Sequence, residues 1–277
     1  VLSFVVSLLK GNNNAEKTVT VPDRVAVINI SGTIISGADS KDNIFSQTNG
    51  VTSGSIMKQI REAAADDSVK ALVLRIDSGG GSATAAEEVG RELKRFKEKT
   101  KKPIVATIGN TGASAAYWIA VCASDKVYAN ATTLTGSIGV YMPYMNTEEL
   151  FKKIGITSNK IKSGPYKDIM SSDRPMTPEE QAILQNIVNE IYEQFVTTVA
   201  VGRKMEESKV KSLADGRVYT GLQAKNLGLV DEIGDYYDAL AAAGELGKIK
   251  PGADGLPPVK AKDCLLYTSP SPRDPKT

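Results

Sequence analysis

Ser114 stands in a run of small residues, Gly109-Asn110-Thr111-Gly112-Ala113-Ser114-Ala115-Ala116-Tyr117-Trp118. The run follows the β-branched stretch Pro103–Ile108 and opens a helix rich in small residues. No neighbour there is large enough to shield the serine oxygen, and amides at a strand-to-helix turn can receive developing negative charge, which is the setting of a nucleophile. A helix cap or a small packing residue would occupy the same place. A second turn, Asp77-Ser78-Gly79-Gly80-Gly81, presents bare backbone amides after a strand and could hold an oxyanion or a phosphate. No Gly-Lys-Ser/Thr follows, so it is not a P-loop. The third segment is the loop Lys162-Ser163-Gly164-Pro165-Tyr166-Lys167-Asp168-Ile169-Met170. A lysine acts as a base only where burial or another cation favours its neutral form. Lys167, beside Tyr166 and before Ile169-Met170, is expected to be better buried than Lys160 or Lys162; the ordinary alternative is a solvated surface lysine.

Composition narrows the chemistry. The chain of 277 residues contains no histidine, so a Ser-His-Asp triad and His-rich zinc sites are excluded. Cys122 and Cys264 cannot make a Cys-only zinc site or a disulfide framework, and Cys122, in an apolar stretch, reads as a small buried hydrophobe. Neither a metal nor a cofactor is called for. A net charge of +2, from 34 basic and 32 acidic residues spread along the chain, provides no basic face for nucleic acid. Any base must be Lys, Asp, Glu or Tyr.

These turns need a scaffold. Arg24–Ile30, Ala71–Asp77 and Pro103–Ile108 are short apolar strands, and helical patterns separate them over Ile56–Ala64 and Ala83–Glu98. Alternation of strand and helix predicts an α/β fold with a mainly parallel sheet, helices on both faces and a helical C-terminal extension. Further on, Lys126–Ala129 and Ser137–Met142 are apolar runs. Thr177-Pro178-Glu179-Glu180 announces a long helix by a capping box; its stripe Ile183, Leu184, Ile187, Val188, Ile191, Phe195, Val199 is core or a subunit contact. Shorter helices are expected near Glu206–Ala214, Leu222–Leu227 and Tyr236–Leu246. Three regions result: 1–23, whose apolar start Val1–Leu9 and Asn-rich spacer suggest a truncated membrane anchor and linker; 24–247, the α/β domain; and 248–277, a disordered or non-native tail rich in Pro, Ser, Lys and Asp.

The three segments together resemble the signal peptide peptidase A family of serine proteases, of the Clp protease/crotonase superfold, over about Arg24–Gly247. Ala113-Ser114-Ala115-Ala116-Tyr117-Trp118 is similar to the family's nucleophile segment Ala-Ser-Gly-Gly-Tyr-Tyr, and Ser163-Gly164-Pro165-Tyr166-Lys167-Asp168 to its Ser-Gly-x-x-Lys-Asp. Thr135-Gly136-Ser137-Ile138-Gly139-Val140 matches a third motif. The resemblance implies Ser114 as nucleophile, Lys167 as general base, Ser137 as the group orienting the lysine, and the amides of Gly80 or Gly81 and Ala115 as oxyanion donors. Departures are Asp77 for Asn and Gly79 for Pro in Asn-Ser-Pro-Gly-Gly, and Ala115-Ala116 for Gly-Gly. The resemblance further implies hydrolysis of remnant signal peptides and other extended hydrophobic peptides at the cell membrane, on its extracytoplasmic side. It also implies a ring-shaped homo-oligomer with the dyad commonly completed between subunits. A crotonase-type acyl-CoA enzyme, for which Asp77 is the only suitably placed carboxylate, and a membrane-tethered scaffold with a decayed dyad are the alternatives.

Overall fold

The structure, a computed structural model, describes residues 22–38 and 50–260. The first half runs β1 (Arg24–Ser31), β2 (Thr33–Ile35), β3 (Gly50–Thr52), α1 (Ser53–Ala65), β4 (Val69–Ser78), α2 (Ala83–Thr100), β5 (Ile104–Ala113), α3 (Ala115–Val121) and β6 (Lys126–Ala129). The second runs β7 (Leu134–Gly136), α4 (Glu148–Lys153), α5 (Pro178–Arg203), α6 (Glu207–Lys211), β8 (Val218–Thr220), α7 (Gly221–Asn226), β9 (Glu232–Ile233), α8 (Tyr236–Leu246) and β10 (Val259–Lys260).

The main sheet has the order β10-β1-β4-β5-β6-β9, parallel throughout, with β7 parallel to the end of β5 and β8 antiparallel to β7. Side chains alternate across a strand, and the apolar runs of β1, β4 and β5 therefore feed two layers. Ile28, Ile30, Leu72, Leu74, Ile76, Ile104 and Ile108 pack with α1, α2, α3 and α5. Val25, Ala71, Val73 and Val105 face the other way, where α8 covers them with Ala239, Leu240 and Ala243. Cys122 is buried in the first layer, its thiol pushed up to about 12 by burial.

Two expectations need correction. The segment Gly109–Ala113 is no turn but the second half of β5, pairing with Ser78 on one edge and with Leu134–Gly136 on the other. Its weak strand formers are held by buried threonines: Thr133 Oγ1 donates to the Gly109 carbonyl at 2.6 Å and Thr135 Oγ1 to that of Gly112 at 2.7 Å. Within the tail expected from 248, the described residues 248–260 are ordered. Ile249 is buried, and β10 adds an edge to β1, pinned by the Lys260–Asp66 ion pair. The stripe on α5 divides between two settings: Phe195, Val196 and Val199 are buried, with Phe195 stacked on Trp118 at 5.0 Å, whereas Ile183 and Ile187 are 37% and 41% exposed.

At the end of α5, Arg203 donates to both oxygens of Asp231 and to the Gly228 carbonyl, and Asp231 accepts the Val127 amide. Sheet and long helix are thereby joined. Among the described residues no helix is long and apolar enough to cross a membrane. The expected anchor and linker fall almost wholly, and residues 261–277 of the expected tail entirely, outside the described residues.

Candidate active site

The parallel pairing of β5 with β7 ends at Ala113 opposite Gly136, so Ser114 and Ser137 leave the sheet side by side. Both adopt positive φ, 54° and 48°, a region that costs an L-residue about 1–3 kcal/mol and survives only where the surroundings enforce it. Here the enforcing contacts are backbone bonds. The Ser114 amide donates to the Gly136 carbonyl and the Ser137 amide to that of Arg217, each at 2.9 Å. Although Ser114 occupies the cap position of α3, its hydroxyl makes no capping bond. The capping alternative therefore does not account for this serine.

The glycine turn lies directly over it. A Cβ on Gly80 would stand 2.8 Å from Ser114 Cβ, 2.9 Å from the Ala113 carbonyl oxygen and 3.0 Å from the Ala115 nitrogen, so only glycine permits this approach. Gly80 and Gly81 have φ of 107° and 150°, again conformations that suit glycine. Gly80 itself is not the free donor that was expected: its N–H donates to Ser78 Oγ at 3.1 Å. The Gly80 carbonyl accepts from Ile34 N–H at 2.9 Å. In a planar trans peptide the N–H points opposite to the C=O, so the Gly81 amide is directed away from Ile34. Among the described residues it has no hydrogen-bond partner. The Ala115 amide, at the start of α3, likewise has no acceptor within its helix.

Ser114, Ala115 and Gly81 border a cavity of about 270 Å³ whose far wall is apolar: Trp118, Val140, Met142, Ile191 and Phe195. Val140–Met142 also form one side of a larger space of about 600 Å³ reaching Met170, Met176 and Leu184. Asp77 does not line either space. Its carboxylate accepts the Thr111 amide at 3.0 Å and clamps the ends of β4 and β5 together, the reverse of what acid–base work on a bound acyl group needs.

Lys167 departs from expectation. It lies on the loop between Lys162 and Met170 with its side chain exposed, and it is not among the residues bordering the Ser114 cavity. Its neighbours Lys160 and Lys162 are exposed as well. Lys160 pairs with Asp173 and Lys162 with Asp168, while Lys167 makes no ion pair among the described residues. The loop is held from below by Arg174, which grips both oxygens of Asp168 at 2.8 and 2.9 Å and both oxygens of Glu180, the capping-box residue of α5. No sequence pattern announced this bridge, since Asp168, Arg174 and Glu180 are spaced as any loop charges are.

The Arg174 guanidinium, then the Thr177 amide, bring the Glu180 carboxyl down to about 2; Arg174 and Lys162 hold Asp168, and Lys160 holds Asp173, below the usual carboxylate range. A carboxyl lowered on folding stabilises the fold above its unfolded pKa of about 4 and loses that contribution as pH falls through the folded value. The loop is therefore expected to loosen between about pH 4 and pH 2, ahead of the sheet. Amide exchange read separately on residues 160–177 and on β4–β5 measures this; simultaneous loss of protection would contradict it.

Known proteins are similar to this chain in sequence. The sequence pattern of Peptidase family S49 matches residues 96–250. A putative protease of Synechocystis sp., slr0021, is 41% identical over 228 residues, which is 82% of this chain and 76% of that protein. The putative signal peptide peptidase SppA of Enterococcus faecium is 35% identical over 260 residues, 86% of this chain and 75% of its own length. Protease 4 of Salmonella typhi is 38% identical over 226 residues, and the matched part is 82% of this chain but 35% of that longer protein.

Proposed function

Because the chain belongs to peptidase family S49, and is thus a serine-type peptidase of Clp protease/crotonase-like fold, we propose that Ser114 is its nucleophile and Lys167 its general base. The observation carrying the first assignment is the Ser114 hydroxyl, which caps nothing, on a strained residue that borders an apolar cavity together with Gly81, whose amide has no partner among the described residues. Lys167 Nζ takes the proton from Ser114 Oγ as the oxygen bonds to the scissile carbonyl carbon. The carbonyl π electrons move onto oxygen, which is held between the Gly81 and Ala115 amides. Collapse expels the amine, which leaves with the proton carried by Lys167, and water then hydrolyses the acyl-enzyme. Ser137, adjacent to Ser114, hydrogen-bonds the lysine amine and holds it in line.

The exposed position of Lys167 supports a dyad completed by a second copy of the chain in a ring. Exposed Tyr141, Ile161, Tyr166, Ile183 and Ile187 supply an apolar surface on which that copy can dock and remove the lysine from water. The apolar cavity wall supports extended hydrophobic peptides as substrates. Since one relative is called a signal peptide peptidase, remnant signal peptides at the membrane, on its extracytoplasmic side, are the proposed source.

A mixing experiment tests the arrangement. Ser114→Ala and Lys167→Ala proteins, each inactive alone, are expected to recover activity when co-assembled, because roughly one quarter of sites in a random ring pair an intact serine with an intact lysine from the neighbour. Co-assembly without recovered activity would overturn the shared dyad.

A further inference from the structure

Ser78 closes β4 immediately before the glycine turn and is 2% exposed. Its hydroxyl both donates and accepts. Oγ donates to the Gly32 carbonyl at 2.6 Å and accepts the Gly80 amide at 3.1 Å. Gly32 in turn donates its amide to the Asp77 carbonyl at 3.1 Å, so the turn leaving β1 and the end of β4 are tied twice. The same β1–β2 segment provides Ile34, whose amide holds the Gly80 carbonyl and whose carbonyl accepts the Ser82 amide at 2.8 Å. Two successive peptide units are therefore fixed from one side: Ser78 pins the N–H of the unit joining Gly79 to Gly80, and Ile34 pins the C=O of the unit joining Gly80 to Gly81.

Such pinning matters because the turn has little stiffness of its own. Three consecutive glycines carry the largest backbone entropy of any tripeptide, and a Cβ at Gly79 would touch nothing within 4 Å. Because the two units share the Gly80 Cα, rotation of the first would pull on the second against its bond to Ile34 and shift the Gly81 amide. We propose that Ser78 is a positioning residue of the oxyanion site: its hydroxyl, bridging the Gly32 carbonyl and the Gly80 amide, keeps the turn in the one arrangement that aims the Gly81 amide at the substrate carbonyl. The assignment rests on the reading of Ser114 as nucleophile.

Three variants test it in the assembled protein: Ser78→Ala, Ser78→Thr, which keeps the hydroxyl, and Ser78→Cys, which keeps the volume with a weak donor and acceptor. The readouts are kcat and KM on a fluorogenic apolar peptide, the rate of Ser114 labelling by a fluorophosphonate, affinity for a peptide aldehyde that forms a tetrahedral adduct, and melting temperature. Losing the aim of one oxyanion donor is expected to lower kcat, labelling rate and aldehyde affinity together by about 10- to 100-fold in Ser78→Ala while KM stays within about twofold. Ser78→Thr recovers most of the loss. Ser78→Cys shows it even where the alanine protein fails to accumulate. Unchanged kcat in Ser78→Ala or Ser78→Cys overturns the proposal, as does a loss that follows melting temperature and is not rescued by threonine. Failure of the nucleophile reading looks different, because the parent protein would then carry no fluorophosphonate on Ser114.

Discussion

Ser114→Ala yields a folded protein whose peptide hydrolysis is lower by about 10⁴- to 10⁶-fold, the loss seen when a serine hydrolase is deprived of its attacking oxygen. Stability is expected to change little. The Ser114 side chain caps nothing, and the bonds that hold the residue in place run through its backbone, to the Gly136 carbonyl and from the Trp118 amide. Alanine keeps those bonds and the same positive φ. Ser114→Gly sharpens the test. Glycine relieves the strain at φ 54°, so this variant should gain about 1 kcal/mol in urea unfolding while being equally inactive. A serine that lowers stability where glycine would raise it is retained for its hydroxyl. Activity above a tenth of the parent in either purified variant would remove Ser114 from the mechanism.

The site combines stiffness and openness in different places. Around Ser114 the main chain is held by β5, β7 and the glycine turn, so the proposed nucleophile and its two proposed oxyanion amides lie within one chain. The lysine is carried by a loop whose ion pairs anchor its base to α5 and leave Lys167 projecting. In the single chain Lys167 is exposed as a surface lysine is, with no ion pair among the described residues. On the reading of a shared dyad, the same exposure lets the lysine be delivered to a neighbour, where docking would replace the water around the amine.

Much of this was legible in the sequence because local chemistry and fold agree. Helix α8 occupies the predicted Tyr236–Leu246, since Asp235 caps it through two amides, and the capping box at Thr177 starts α5 at Pro178 as expected. Where the pattern misled, tertiary bonds override propensity. Gly109–Ala113 has turn composition, yet its two flanking strands and the buried hydroxyls of Thr133 and Thr135 make it strand. A strand as short as Val259–Lys260 carries no periodicity at all; it exists because β1 offers an edge and Asp66 a counter-ion. The commitment of the Gly80 amide depends on a buried serine hydroxyl and is invisible until distances are known. Burial of Lys167 was inferred from Tyr166 and Met170, but both are themselves exposed in the single chain, at 47% and 37%.

Gly80→Ala should be the most damaging single-methyl addition at the site. The new Cβ would meet Ser114 Cβ at 2.8 Å and two backbone atoms of the neighbouring residues at 2.9 and 3.0 Å, none of which is the end of a flexible chain. A φ of 107° adds strain that no rotamer can relieve. Either the turn lifts away from Ser114, carrying the Gly81 amide with it, or Ser114 recedes from the cavity. Both displace an oxyanion donor from the nucleophile by a fraction of an ångström or more, for which a fall in kcat of about 100-fold is expected, with about 2–4 kcal/mol of lost stability from overpacking and strain. Gly79→Ala is the matching control. That position has nothing within 4 Å of an added methyl and no positive φ, so the variant should retain the parent's kcat and melting temperature. Equal damage at both positions would mean that the turn tolerates no side chain for reasons unrelated to its contact with Ser114; no damage at Gly80 would mean that the contact is not maintained in the working enzyme.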